Sequence, residues 1–376
     1  MSLKVLTLFG TRPEIIKLSA VMAEVDRHMT QVLVHSGQNF DYELNEIFFS
    51  DLGIRKPDHF LDAAGGNAAE TIALVIQRLD AVLEQEKPDA LLLLGDTNSC
   101  LGVIAAKRRK IPIFHMEAGN RCFDQRVPEE VNRKIVDHMS DINLTYTEHA
   151  RRYLIAEGVR PETVIKTGSP MREVLERHRS AIAASDVLER YGFTRDGFFL
   201  VSAHREENVD NPDNLGNLMQ SLQALASSYR LPVLVSTHPR TRKRLEGHDL
   251  AALDPLINFV KPLGFLDYVK LQSEARCVIS DSGTITEESS ILGFPAITIR
   301  QAHERPEGMD DGVLIMSGLA PERVLQAVAI VVAQGRARPG PREVGDYAVS
   351  DVSQKVVRVI MSYTDYVSRT VWRKSL

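Results

Sequence analysis

At 376 residues the chain exceeds what one hydrophobic core usually serves, so two domains of ordinary size are expected. A composition of 44% hydrophobic and 25% charged residues places it among ordinary globular chains and excludes the disordered and fibrous classes. A formal net charge of −5 excludes a global basic field for nucleic acid or an anionic membrane, so an anionic ligand has to be held locally.

The N-terminal stretch Lys4–Phe9 is too short for a secretory signal or a membrane span and reads as a buried strand. Further strands are expected at Thr30–His35, Ala90–Leu94, Ile111–His115, Asp141–Thr145 and Thr163–Lys166. Between them lie helical patterns, such as the apolar face of Ile15, Ile16, Leu18, Val21, Met22 and Val25. A second series follows at Phe198–Ser202, Pro232–Ser236, Ile257–Val260, Cys277–Ser280 and Ala296–Ile299. Its helices are equally regular: Leu215, Leu218, Met219, Leu222 and Leu225 follow a capped start at Asn211-Pro212-Asp213. Strands alternating with helices from end to end indicate an α/β chain of two Rossmann-like domains, with parallel sheets facing a cleft. The junction falls near Gly168-Ser169-Pro170. Cys100, Cys122 and Cys277 are far apart and odd in number, as in a cytoplasmic protein with reduced thiols. No spacing of His, Cys or acidic residues matches a metal site, and no cofactor is expected.

Ligands of doubly wound sheets bind beyond the carboxyl ends of strands, so the polar turns there carry the candidate chemistry. Gly10-Thr11-Arg12-Pro13-Glu14 opens a helix whose free N–H groups suit an anion, with Arg12 and Lys17 as phosphate partners or as plain surface charges. Asp281-Ser282-Gly283-Thr284 repeats that arrangement. Ser282, Gly283 and Thr284 form a diphosphate cradle or a simple cap, and Glu288 sits one turn on as an acceptor for ribose hydroxyls. Asp96, Glu117 and the pair Glu129-Glu130 offer several carboxylates for acid–base work, although Glu129 and Glu130 also suit a Pro-initiated first helical turn. Arg121 and Arg133 are partners for these acids or for substrate. His204 and His238 follow strands of the second series, and Arg305 lies in a later loop.

Taken in order, Phe9-Gly10-Thr11-Arg12-Pro13-Glu14, Gly95-Asp96-Thr97, His115-Met116-Glu117-Ala118-Gly119, Pro128-Glu129-Glu130-Val131-Asn132-Arg133, Asp281-Ser282-Gly283 with Glu287-Glu288, and Glu304-Arg305-Pro306-Glu307 resemble the non-hydrolysing UDP-N-acetylglucosamine 2-epimerase family along nearly the whole chain. The resemblance implies two Rossmann-like domains of the glycosyltransferase-B type, 1–169 and 170–351, with a C-terminal helix at 352–376 crossing back to the first. It implies a cytoplasmic homodimer without membrane insertion or nucleic-acid partner. It assigns Asp96, Glu117, Glu129, Arg133 and His204 to catalysis. Arg12, Lys17, Ser282, Gly283, Thr284, Glu288 and Arg305 become the substrate and UDP contacts.

The implied reaction breaks the bond from C1 to UDP before or ahead of proton removal, because a sugar C2 hydrogen has no adjacent carbonyl to acidify it. A carboxylate then takes the C2 proton to give a C1–C2 glycal, and a second acid returns a proton to the opposite face as UDP re-adds. The chain departs from the common family wording at Asn120, in Glu117-Ala118-Gly119-Asn120-Arg121, and at Glu206, in His204-Arg205-Glu206-Glu207. Gln38-Asn39-Phe40-Asp41 stands where some members have a Gln-His-rich activating segment. This wording resembles the branch that converts UDP-2-acetamido-2,6-dideoxy-L-talose to UDP-N-acetyl-L-fucosamine for capsule or O-antigen. A UDP-N-acetylglucosamine epimerase, a UDP-sugar glycosyltransferase and a non-catalytic nucleotide-sugar sensor are the alternatives.

Overall fold

The computed structural model describes residues 2–38, 42–237, 239–245, 253–302, 304–337, 340 and 342–375. The strands in chain order are β1 (Lys4–Phe9), β2 (Thr30–His35), β3 (His59–Phe60), β4 (Ala90–Leu94), β5 (Ile113–Met116), β6 (Ile142–Thr145) and β7 (Val164–Lys166). The second series comprises β8 (Phe199–Ser202), β9 (Val233–Ser236), β10 (Ile257–Val260), β11 (Cys277–Ser280), β12 (Ala296–Thr298) and β13 (Ile315–Met316). The first helices are α1 (Arg12–His28), α2 (Tyr42–Leu52), α3 (Ala68–Glu86), α4 (Val103–Arg108), α5 (Pro128–Met139), α6 (Glu148–Ala156) and α7 (Met171–Arg177). Then come α8 (Arg179–Ala184), α9 (Val187–Tyr191), α10 (Glu206–Val209), α11 (Pro212–Tyr229), α12 (Pro239–Leu245), α13 (Phe265–Glu274), α14 (Ile285–Leu292), α15 (Pro306–Asp310), α16 (Pro321–Ala337) and α17 (Val352–Thr370).

The chain forms two compact units, one of residues 1–177 with 345–376 and one of 178–344. Each holds a parallel sheet, as the alternation of elements predicts. The first runs β3-β2-β1-β4-β5-β6-β7 and the second β10-β9-β8-β11-β12-β13. Helices cover both faces, which is why strands such as Ala90–Leu94 read as unbroken apolar runs and are almost wholly buried. The β5 ladder starts at Ile113, later than the apolar run from Ile111 suggests, because Pro112 accepts from the Leu91 N–H but has no N–H to return. The edge strands β3 and β13 are two residues each and carry no periodic signal.

In the first sheet, strand order reverses between β1 and β4; in the second, it reverses between β8 and β11. At such switch points the loops beyond the strands diverge and leave room for a ligand. The turns after β1 and β4, and after β8 and β11, therefore occupy the ligand-binding positions of their own sheets.

The first unit continues past Gly168-Ser169-Pro170 into α7, which packs on α1. Helix α17 also packs on α1 and buries Val352, Val356, Ile360, Thr364 and Val367 along one stripe. Its start is fixed by Glu173, whose carboxylate accepts from the Ser353 N–H at 2.9 Å and the Ser353 hydroxyl at 2.5 Å. Among the described residues no helix is long and apolar enough to cross a membrane.

Candidate active site

The first cluster starts where β1 turns into α1. A side chain at Gly10 would place Cβ 1.9 Å from Ser36 Oγ, so the turn requires glycine. Glu14, third residue of α1, folds back on this turn: its Oε2 accepts from the N–H groups of Gly10 at 2.6 Å and Thr11 at 2.9 Å. Its Oε1 accepts from the Thr97 hydroxyl at 2.6 Å. Glu14 thus occupies the N–H groups of Gly10 and Thr11 in the turn that precedes the helix. Glu14 is 2% exposed, and burial, partly offset by its three hydrogen bonds, pushes its carboxyl up to about 7.

Arg12 sits at the helix start with its guanidinium 5.8 Å from the centre of the Phe48 ring. Lys17 is no surface charge. It is 2% exposed, and its ammonium lies 2.9 Å from both oxygens of Glu117 and 5.3 Å from the Tyr146 ring centre. Glu117 leaves β5 at φ 62° and Gly119 follows at φ 82°. The left-handed backbone at Glu117 costs about 1–2 kcal/mol, which the surrounding contacts over-determine. A Cβ at Gly119 would lie 2.4 Å from the Ala150 carbonyl oxygen, so the turn is pressed against α6.

Arg133 on α5 joins two acids, with Nε 2.7 Å from Asp96 Oδ2 and Nη1 2.9 Å from Glu130 Oε2. Pro128 at the first position of α5 places Glu130 third, the position Glu14 holds in α1. Glu130 is fully buried and accepts from the N–H groups of Cys122 and Phe123 at 3.0 and 3.1 Å and from the Cys122 thiol at 3.3 Å. Burial would raise its carboxyl, but these donors and Arg133 outweigh it and hold the group below the usual carboxylate range. The enclosed acid of the pair is thus Glu130, while Glu129 is half-buried. The third-position rule for a Pro-initiated helix could have singled it out. Arg121 is a structural partner: it donates to Asp137 at 2.7 Å and to both oxygens of Glu157.

The second cluster lies in the other unit. Ser202 of β8 is paired with Ser280 of β11, which brings the following residues, Ala203-His204 and Asp281, to the same sheet end. Asp281 is fully buried and accepts from the N–H groups of His204 and Arg205 and from Asn208 Nδ2 at 3.0 Å. Its Oδ1 lies 3.1 Å from His204 Nδ1. Burial opposes ionisation, yet His204, Asn208 and the Arg205 N–H together hold this carboxyl far below the usual range. Asp281 thus holds the ring by Nδ1 beside a buried carboxylate. Its role was not legible from spacing, because only the strand register brings it to His204.

Beyond Asp281, the hydroxyls of Ser282 and Thr284 lie 3.0 Å apart, and Ser282 Oγ accepts from the Thr284 N–H at 3.3 Å. A concavity is lined here by Ser282, Gly283, Thr286, Arg300, Glu304 and Arg305. Arg300 and Arg305 are buried in its wall, paired with Glu304 at 2.7 Å and Glu287 at 2.9 Å. Glu288 is buried one turn into α14, where one carboxylate oxygen accepts from Gln272 Nε2 at 2.6 Å. Hydroxyls, a glycine backbone and buried guanidinium groups form a setting for an anion. His238, the segment Asn39-Phe40-Asp41 and the side chain of Glu206 lie outside the described residues.

Arg12, Lys17, Asp96, Glu117 and Arg133 thus stand at adjoining sheet ends of the first unit, and His204, Ser282, Gly283, Thr284, Glu288 and Arg305 at one end of the second. A family model described as UDP-N-acetylglucosamine 2-epimerase matches residues 23–361. The solved UDP-N-acetylglucosamine 2-epimerase from Rickettsia bellii is 54% identical, with 100% of both chains covered and a TM-score of 0.91. A structure of the Methanocaldococcus jannaschii UDP-GlcNAc 2-epimerase in complex with UDP-GlcNAc and UDP is 30% identical, covering 96% of this chain and 100% of that one, with a TM-score of 0.89. The UDP-2,3-diacetamido-2,3-dideoxy-D-glucuronate 2-epimerase of Pseudomonas aeruginosa is 34% identical over 334 residues, 86% of this chain and 91% of the relative.

Proposed function

The chain belongs to the UDP-N-acetylglucosamine 2-epimerase family, and on that premise we propose that it inverts C2 of a UDP-N-acetylhexosamine by eliminating and re-adding UDP. The observation that carries this reading is the acid set of the first unit. Asp96, Glu117 and Glu130 come from different turns, and each is held beside a cation, Lys17 or Arg133. Inversion needs a base on one face and an acid on the other, and separately mounted carboxylates supply both.

The C1–O bond breaks first, its electron pair leaving with the diphosphate. Arg12, Lys17 and His204 are assigned to the charge that builds there, an electrostatic contribution that strengthens where water is excluded. Ser282, Gly283, Thr284, Glu288 and Arg305 are assigned to UDP. Loss of the leaving group acidifies the C2 hydrogen, and a carboxylate among Asp96, Glu117 and the Glu129-Glu130 pair removes it to form the C1–C2 glycal. A second acid protonates the opposite face as the diphosphate oxygen returns to C1. Arg133 orients Asp96 and Glu130 in this scheme.

The preferred substrate is UDP-2-acetamido-2,6-dideoxy-L-talose, giving UDP-N-acetyl-L-fucosamine for surface polysaccharide in a cytoplasmic homodimer. Asn120 supports this choice, since its amide lies 3.5 Å from Glu117 Oε1 and places a polar group beside a candidate acid. UDP-N-acetylglucosamine is the second reading, favoured by the name of the Rickettsia bellii protein. The Pseudomonas aeruginosa name shows that relatives of this chain act on more than one hexosamine. Parallel assays with the 6-deoxy-L-talose and N-acetylglucosamine derivatives decide between them. A higher kcat/KM for the former is expected, and turnover of UDP-N-acetylglucosamine alone overturns the substrate assignment.

A further inference from the structure

The buried face of α5 carries Glu130, Asn132, Arg133, Val136 and Asp137, while Val131 and Ile135 are exposed. An asparagine in the fifth position of a helix is a poor helix former and a costly side chain to bury, so its place on this face calls for partners. Asn132, 8% exposed, finds two: its Nδ2 donates to the Asp96 carbonyl oxygen at 2.9 Å and to Asn98 Oδ1 at 3.2 Å. Arg133, the next residue, binds the Asp96 carboxylate at 2.7 Å. Neighbouring positions of one helix thus grip the same acid, one by its backbone and one by its side chain.

The two grips respond differently to the reaction. An acid–base group changes charge when it takes or gives the C2 proton. Protonation of Asp96 removes the charge that pairs it with Arg133, so that contact weakens as the proton arrives. The bond from Asn132 joins an amide to a carbonyl, with no ionised group in it, and holds equally in both states. The residues on either side of Asp96 are anchored as well. Gly95, at φ 85°, donates its N–H to the Met116 carbonyl oxygen at 3.0 Å, and the Thr97 hydroxyl donates to Glu14 at 2.6 Å. Between these anchors Asn132 holds the carbonyl of Asp96 itself. The Asp96 side chain remains 26% exposed, so a fixed backbone still leaves its carboxylate open to a ligand.

We propose that Asn132 is a positioning residue that keeps Asp96 in one place through both of its protonation states, so that the carboxyl serving C2 does not drift when its ion pair with Arg133 is released. The proposal rests on the assignment of Asp96 as an acid–base group. Asn132 does not touch substrate in it; it acts through the Asp96 carbonyl.

The test uses the full chain as wild type, N132A and D96N, assayed with a UDP-N-acetylhexosamine that the wild type turns over. N132A is expected to lower kcat about 10- to 100-fold, the cost of a small misplacement of a reacting group, while KM and UDP affinity stay within about twofold. Proton transfer should then limit its turnover, so its kcat should show a full primary isotope effect, either from substrate deuterated at C2 or from deuterated solvent, according to the face that Asp96 serves. A residue that only supports the fold would lower kcat without that effect, and such a result overturns the proposal, as does a loss confined to KM. Where N132A does not fold, N132S, which keeps a polar group at the site, carries the same readouts. If D96N is inactive while N132A stays within about twofold of wild type in kcat, the proposal alone fails. If the wild type turns over no UDP-sugar, or D96N keeps its kcat, the function assigned above or the role of Asp96 fails and takes the proposal with it.

Discussion

Replacing Glu14 by glutamine should change how the stability of the protein depends on pH. Burial raises the Glu14 carboxyl from 4.5 to about 7 in the folded chain. The folded state thus binds this proton more tightly than the unfolded one, and stability from this group is fully present below pH 4.5. It is lost as the pH rises through about 7. At about 1.4 kcal/mol for each tenfold difference in proton affinity between the two states, the loss amounts to about 3 kcal/mol, most of it between about pH 5 and 8. Glutamine carries no such slope. Its Oε1 can accept from the Gly10 and Thr11 N–H groups, and its Nε2 can donate to the Thr97 hydroxyl, which turns from donor to acceptor. Urea unfolding of both proteins across this range cancels the other titrations in the difference. The stability of E14Q relative to wild type should rise by about 2–3 kcal/mol from pH 5 to 8. A difference flat to within about 0.5 kcal/mol would refute the reasoning, as would a variant less stable at every pH.

D281N should lower kcat at least about tenfold by releasing His204, and should remove the part of the acid denaturation profile that Asp281 supplies. That contribution is present above the normal carboxylate range and lost as pH falls through the depressed value, so urea midpoints of the variant should vary less at low pH. E130Q breaks a buried ion pair with Arg133, and should lose about 3 kcal/mol of stability together with turnover. E129Q, at the half-buried acid of the pair, should cost about 1 kcal/mol or less, as urea unfolding of the two variants will show. G283A brings Cβ within 3.1 Å of Glu304 Oε1, the end of a side chain that can give way, so the fold should persist. UDP affinity by calorimetry should nevertheless fall about tenfold as the backbone loses its close approach.

The alternation of buried strands and amphipathic helices was legible in the sequence because local periodicity reports which side of an element is buried. The two-residue strands β3 and β13 were not, for they are shorter than any period. Turn residues were legible as chemistry but not as partners. Lys17 reads equally as a phosphate ligand or a surface charge until the fold buries it against Glu117, a hundred residues along the chain. Glu14 has no role of its own in the sequence, yet it folds back to bind the Gly10 and Thr11 N–H groups and the Thr97 hydroxyl. Glu129 and Glu130 are indistinguishable by type, and the phase of α5 selects which one is enclosed. Asp281 required the register of strands, which no spacing within one segment encodes.

The central claim is that the C2 hydrogen exchanges with an enzyme acid while UDP is detached. Incubation with a UDP-N-acetylhexosamine that the enzyme turns over, in deuterated water, measures this directly by mass spectrometry and proton spectra. Deuterium at C2 of the epimerised product, and of substrate re-formed from it, is the result expected. Consumption of the UDP-sugar with C2 still carrying its original hydrogen would contradict the account and turn the reading toward transfer to an acceptor.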